Sequence, residues 1–160
     1  MAKNKITDAQ KRIAERRVAR KLALFAIYQW QITGNTFEDI YVQLQHDENY
    51  ASDFQKADAA FLHSLVNCAI NHSEKIDALI QPHIDYRTLE QVDMIEQAAL
   101  RLATCELLNH IETPYKVVVS EAVNITKKFG AEQGHKFVNG ILTKLIAQLR
   151  PIETKANPKK

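Results

Sequence analysis

The chain has 160 residues with 21 Lys/Arg against 19 Asp/Glu, 46% apolar residues, and only four glycines, four prolines and two cysteines. That length and apolar share suit one domain with a sizeable core and exclude a disordered polyelectrolyte, while Cys68 and Cys105 sit in apolar runs without C-x-x-C spacing and point to buried thiols. The net charge of +2 hides a sorting: residues 1–21 hold eight basic residues and two acids, residues 22–112 four and fourteen, and residues 113–160 nine and three. Two basic ends around an acidic middle favour a polyanion at one surface and a basic partner at another. No run approaches the roughly 18 apolar residues of a membrane span, and the charged N-terminus lacks a signal-peptide core, so the expectation is a soluble cytoplasmic protein with no membrane partner.

Apolar residues recur every three or four positions over long stretches, which is a helical period. The first helix is predicted to start near Thr7 or Asp8 and to end near Gly34. Its apolar stripe is Ala14, Val18, Leu22, Phe25 and Ile32, while Arg12, Arg16 and Arg20 follow at i, i+4 and form a basic ridge on another face. A second helix begins after Thr36, runs through Ile40 and Leu44, and gives way to the polar residues 46–52. Further helices fit residues 53–71 and 73–80, with Pro82 closing the latter. Residues 92–109 form a strongly apolar helix around Ile95, Ala99, Leu102 and Leu107, and its polar side presents Asp93, Glu96 and Arg101.

The two C-terminal helices have the clearest limits. Thr113 is placed to cap, Pro114 suits the first helical position, and Lys127 and Lys128 lie in the last turn before Gly130. Val118, Ala122, Ile125 and Phe129 make the buried edge. After a loop over 130–134, Val138, Ile141, Leu145 and Leu149 form the final stripe. The expectation is therefore an all-α single domain of about six or seven helices over residues 11–150, with a flexible basic extension over 1–10 and a flexible basic tail over 151–160.

Catalytic signatures are missing: there is no Walker loop, G-x-G-x-x-G, H-E-x-x-H or G-x-S-x-G, and His135 has no acid, serine or cysteine beside it in sequence. No cofactor or metal is expected. Nucleic-acid chemistry is better served. The run Lys11-Arg12-Ile13-Ala14-Glu15-Arg16-Arg17-Val18-Ala19-Arg20-Lys21 carries planar guanidinium forks that bind phosphate and stack on bases. A solvated helix face explains such a run equally well when it stands alone.

The segment Gly130-Ala131-Glu132-Gln133-Gly134-His135-Lys136-Phe137-Val138-Asn139-Gly140 adds a loop leading into a helix whose first amides are unpaired, which favours anions. Lys136 supplies charge and Asn139 can reach base edges. Phe137 lies off the stripe begun by Val138; it either stacks on an unpaired base or staples the helix start to the core. The same alternatives stand for Tyr28, which extends the ridge from Arg20, and for Trp30, where packing is favoured.

Two segments carry a family likeness: Arg16-Arg17-Val18-Ala19-Arg20 continuing through Ala23-Leu24-Phe25-Ala26-Ile27-Tyr28-Gln29-Trp30, and Pro114-Tyr115-Lys116-Val117 continuing through Glu121-Ala122 and Lys128-Phe129-Gly130 to His135-Lys136-Phe137-Val138-Asn139-Gly140-Ile141-Leu142. Val92-Asp93, Leu100-Arg101-Leu102-Ala103 and Glu106-Leu107 add to it. From about residue 12 to 150 the chain resembles the NusB family of bacterial transcription antitermination factors. The resemblance implies two three-helix bundles packed across each other and a binding function without catalysis. It further implies that the chain binds single-stranded boxA RNA together with NusE, a small-subunit ribosomal protein, and joins NusA, NusG and RNA polymerase, notably on ribosomal RNA operons.

Carried onto matching positions, the resemblance assigns RNA contacts to Arg12, Arg16, Arg17, Arg20, Lys21 and Tyr28 on the first helix and to Gln133, His135, Lys136, Phe137 and Asn139 near the last. It assigns the NusE face to Asp93, Glu96 and Arg101. The alternative is a NusB-like RNA-binding module or helical scaffold without antitermination activity. NusB-like domains also precede ribosomal RNA cytosine methyltransferase domains, and with Lys160 as the last residue the expectation here is a stand-alone factor. Whether the free protein forms a homodimer is left open. Gln133-Gly134 stands where many members have an acid and then Ser, which removes a negative charge beside the expected RNA site, and Ser120 replaces a common Asn.

Overall fold

The computed structural model describes residues 6–156, and every regular element among them is helical. Helix α1 (Asp8–Thr33) opens with a reciprocal capping box, in which Thr7 Oγ1 accepts from Gln10 N at 3.1 Å and Gln10 Oε1 accepts from Thr7 N at 2.9 Å. It closes at Gly34, whose φ of 69° is the left-handed conformation that a residue with a Cβ adopts only at a cost. Helix α2 (Phe37–His46) is capped by Thr36, as the sequence suggests.

The helix expected over 53–71 is two helices, α3 (Ala51–Lys56) and α4 (Ala59–Asn71). The break has a local cause. Ala57 is extended, Asp58 caps α4 by accepting from Phe61 N at 3.0 Å, and the Asp58 amide donates to the Glu15 carbonyl of α1 at 3.1 Å. Next come α5 (Ser73–Ile80), 3₁₀ turns at Gln81–His83 and Leu89–Gln91, and α6 (Met94–Asn109). The series ends with α7 (Tyr115–Phe129), α8 (Gly134–Leu149) and α9 (Pro151–Ala156).

Helix α1 packs on α4 and on α6, with α2 and α3 completing its layer, and α6 packs on α7 and α8, which run along each other. The expected pair of bundles is thus joined through α1 and α6. Helix α6 is enclosed on every side, and each residue from 96 to 107 is buried. No helix among the described residues is long and apolar enough to cross a membrane.

Nine α-helices among the described residues replace the expected six or seven, and four local expectations change with them. Ala14 and Ile32 belong to the apolar stripe by spacing but are exposed, Ile32 at 57%, because the buried stretch of α1 spans only Ala19 to Ile27. Thr113 does not cap α7; Pro114 takes the cap position, and the Thr113 hydroxyl accepts from Arg16 Nη1 at 3.1 Å. Residues 151–156 form α9 instead of a frayed tail. Arg150, 3% exposed, donates to the carbonyls of Leu107, His110 and Thr113 and to Glu153 Oε1. Glu153 Oε2 then accepts from the Tyr115 amide at 2.8 Å, so a carboxylate of α9 satisfies the first turn of α7 and complements its dipole. The extension over 1–10 likewise becomes helical from Asp8; residues 1–5 and 157–160 lie outside the described residues.

Candidate nucleic-acid interface

The i, i+4 arginines of α1 share a face, but much of that face looks inward. Arg20 is 6% exposed and makes a bidentate pair with Glu106 of α6, Nε to Oε1 at 2.8 Å and Nη2 to Oε2 at 2.6 Å, with Glu121 Oε1 at 3.7 Å from Nη1. Arg16 lies over the Phe61 ring at 4.1 Å and meets Glu112 at 3.0 Å and Asp58 at 3.5 Å. Lys21 pairs with Asp53 at 2.7 Å. Arg17 pairs with Glu121 at 3.1 Å but keeps its side chain 64% exposed, and Arg12 is exposed with no ion pair among the described residues. A rigid guanidinium fork suits a buried carboxylate as well as it suits a phosphate, so arginine content alone does not separate the two uses. Tyr28 is partly buried against the core, as is Trp30, with Arg101 5.2 Å from its ring.

At the start of α8, Gln133 is exposed at the cap position without a capping bond from its side chain. His135, Lys136 and Asn139 line a groove of about 620 Å³ between α7 and α8. The His135 Nδ1 atom is buried without a hydrogen-bond partner. Phe137 faces a different depression beside the 3₁₀ turn at Gln81–His83, is packed against the core, and carries the Arg87 guanidinium 4.9 Å from its ring. Asp85 fixes that guanidinium with two contacts of 3.0 Å. The packing alternative for Phe137 therefore describes its present contacts.

Of the three residues expected to face a basic partner, Glu96 and Arg101 are interior and Asp93 is exposed. Arg101, 4% exposed, forks onto Asp77 of α5 at 2.9 and 3.1 Å and donates to Gln31 of α1 at 2.8 Å. Glu96, 8% exposed, lies under the start of α8, where a Cβ on Gly134 would sit 2.5 Å from its Oε2. Burial, with the Asp93 carboxylate beside it, pushes the Glu96 carboxyl above its ordinary range against the pull of Arg87. Asp93 is exposed, and its carboxylate caps α6 by accepting from Ile95 N at 3.0 Å and Glu96 N at 3.2 Å. The polar side of α6 is a second buried face because α1, α5 and α8 cover it.

The fold does bring the two basic segments together, through α7. Arg12, Arg16 and Arg17 line a groove of about 790 Å³ against the start of α7, and Lys116 and Ser120 of α7 line both that groove and the one against α8. Lys116 is exposed and free of ion pairs among the described residues. It bridges the two segments, and spacing within α7 gave no sign of this because only tertiary packing sets α1 on one side of that helix and α8 on the other.

Known proteins place this arrangement in a family. The NusB family model matches residues 17–147. The transcription antitermination protein NusB of Teredinibacter turnerae is 44% identical over 143 residues, 89% of this chain and 95% of that one. The protein of the same name from Pseudomonas savastanoi pv. phaseolicola is 40% identical over 93% of this chain and 87% of its own. Among solved structures, T. maritima NusB superimposes with a TM-score of 0.67 at 28% identity, over 81% of this chain and 89% of that one. A crystal structure of the antitermination factors NusB and NusE in complex with dsRNA gives a TM-score of 0.65 at 26% identity, over 81% and 93% of the two chains. The chain belongs to the NusB family of transcription antitermination proteins.

Proposed function

We propose that this chain binds boxA-type RNA jointly with NusE, on the face formed by α1, α7 and α8, and so joins an antitermination complex containing NusA, NusG and RNA polymerase. The observation that carries the reading is the pair of grooves meeting at Lys116 and Ser120, which set Arg12 and Arg17 on one side and His135, Lys136 and Asn139 on the other. A related protein crystallised with NusE and RNA supports it. Arg12, Arg17, Lys116 and Lys136 neutralise phosphates. Arg16, Arg20 and Lys21 hold α1 in register against Glu112, Glu106 and Asp53 and act on RNA through that placement. On the acidic side, Asp93 meets the basic partner, with Glu96 and Arg101 supporting the helix from beneath.

Fluorescence anisotropy of labelled boxA RNA and a scrambled control, with the protein alone and with equimolar NusE at two salt concentrations, tests the reading. A boxA preference that strengthens with NusE supports it. Equal weak binding to both RNAs, unchanged by NusE, refutes it and leaves a helical scaffold whose basic run serves the interior. The internal neutralisation of Arg16, Arg20 and Lys21 gives that second reading its weight. Neutralised phosphates on a single strand lower log K with log salt by about 0.7 each, so Arg12→Ala and Lys116→Ala should each flatten the slope by roughly that amount.

A further inference from the structure

The groove between α7 and α8 differs in chemistry from the one beside α1. Asp58, Glu112 and Glu121 line the α1 groove, whereas no carboxylate lines the α7–α8 groove among the described residues. Its walls include the apolar side chains of Val123 and Ile146, and Ser120, Asn124 and Asn139 supply hydroxyl and amide groups around them. The Asn124 and Asn139 side-chain amides and the Ser120 hydroxyl make no hydrogen bond among the described residues, and all three residues are exposed. Lys116 and Lys136 add the only formal charges of the lining.

Phosphate recognition calls for cations and backbone amides, and carboxylate-free neutral donors and acceptors over an apolar floor suit a nucleobase instead. An asparagine amide presents a donor and an acceptor side by side and pairs with the matching edge of a base, and an unstacked base needs an apolar surface for its face. We infer that the α7–α8 groove is where this protein reads RNA sequence: an unstacked base enters between Asn124 and Asn139, while Lys116 and Lys136 hold the flanking phosphates. This rests on the RNA-binding function proposed above and assigns specificity within it to Asn124 of α7, which the basic segments do not contain, acting opposite Asn139 of α8.

The test measures affinity for labelled boxA RNA and for a scrambled RNA, with NusE present, for the unaltered protein and for Asn124→Leu, Asn139→Leu and Lys116→Ala. Circular dichroism melting checks that the variants, all at exposed positions, fold. Each asparagine variant should lower the ratio of boxA to scrambled affinity by about five- to thirtyfold and leave the salt slope unchanged, since a good base-edge pair discriminates on that scale. Lys116→Ala should weaken both RNAs alike and flatten the slope. Substituting abasic nucleotides through boxA should locate one position at which Asn124→Leu no longer has an effect. If the unaltered protein discriminates and both asparagine variants keep its full ratio, the groove does not read bases and the inference falls while RNA binding stands. A parallel loss on both RNAs with a flatter slope makes the groove a phosphate site and overturns it as well. Failure of the unaltered protein to discriminate removes both the inference and the function beneath it.

Discussion

Arg20 separates the two uses of the basic helix most sharply. If arginine content governed, Arg20→Ala would cost RNA affinity; the contacts of its side chain predict a cost in folding. The side chain is 7% exposed and its partner Glu106 2%, and truncation leaves the Glu106 carboxylate inside the protein with its bidentate donor gone. Breaking a buried pair from one side costs about 3–5 kcal/mol, a fifth or more of the roughly 5–15 kcal/mol that a domain has. At about 2–4 °C per kcal/mol for a chain of this size, the melting temperature should fall by roughly 10 °C. The pairwise part is isolated by adding Glu106→Leu to Arg20→Met. Removing both charges should recover most of the loss, because desolvation had offset much of the attraction between them. The assays are urea unfolding of the two single variants and the double variant, and boxA anisotropy at a temperature where Arg20→Met is folded. RNA affinity of the folded protein should stay within about twofold, which is under 0.5 kcal/mol. An Arg20→Ala protein that melts with the parent while losing tenfold in affinity and flattening its salt slope would refute the reasoning, since that pattern belongs to a guanidinium on phosphate.

Other variants probe the junction of α6 and α8. Glu96→Gln should raise stability at neutral pH, seen as a higher melting temperature. Burial and Asp93 hold this carboxyl above its unfolded value in the native state, so its contribution is fully present below about pH 4.3 and is lost as pH rises through the folded value; the advantage of Gln should therefore vanish in acid. Gly134→Ala should cost about 1–2 kcal/mol in unfolding experiments, because its Cβ would enter the space of the Glu96 carboxylate, and in a Glu96→Ala background most of that cost should disappear. Gln133→Asp should split stability from function: an aspartate at the cap position stabilises α8 by up to about 1 kcal/mol, while its charge beside the groove lowers RNA affinity in anisotropy titrations. Unchanged affinity would show that phosphate does not approach Gln133.

The helical class, the ends of α1 and α7 at Gly34 and Gly130, and the stripes of α7 and α8 were legible because they depend on neighbours within a turn or two. The division at Asp58 and helix α9 were not, since each is fixed by a bond to a distant segment, Asp58 to Glu15 and Glu153 to Tyr115. The same distinction explains the site. That Lys136 and Asn139 line one groove is legible because they share one turn of one helix, whereas spacing puts Arg20 and Arg101 on polar faces although their carboxylates stand 86 and 24 positions away. A local sign was present at Arg20. Ala23, Leu24 and Ile27, at i+3, i+4 and i+7, are apolar and fully buried, which places Arg20 on the inward face whatever its spacing from Arg16.

Charge sorting has, for the same reason, two physical meanings that composition does not separate. Basic and acidic segments of one chain attract each other as readily as they attract an RNA and a basic protein. Here Asp53, Asp58, Glu106 and Glu112 of the acidic middle take up Lys21, Arg16 and Arg20 of the basic start. What remains for an external polyanion is the set of cations beyond the reach of those acids, among them Arg12 and the exposed side of Arg17 on α1, Lys116 on α7 and Lys136 on α8. These residues converge on the two grooves that meet at α7. The inner pairs tie α1 to α3, to α6 and to the segment before α7. Substitutions at the inner pairs should thus reach RNA through stability, and those at the outer cations through charge.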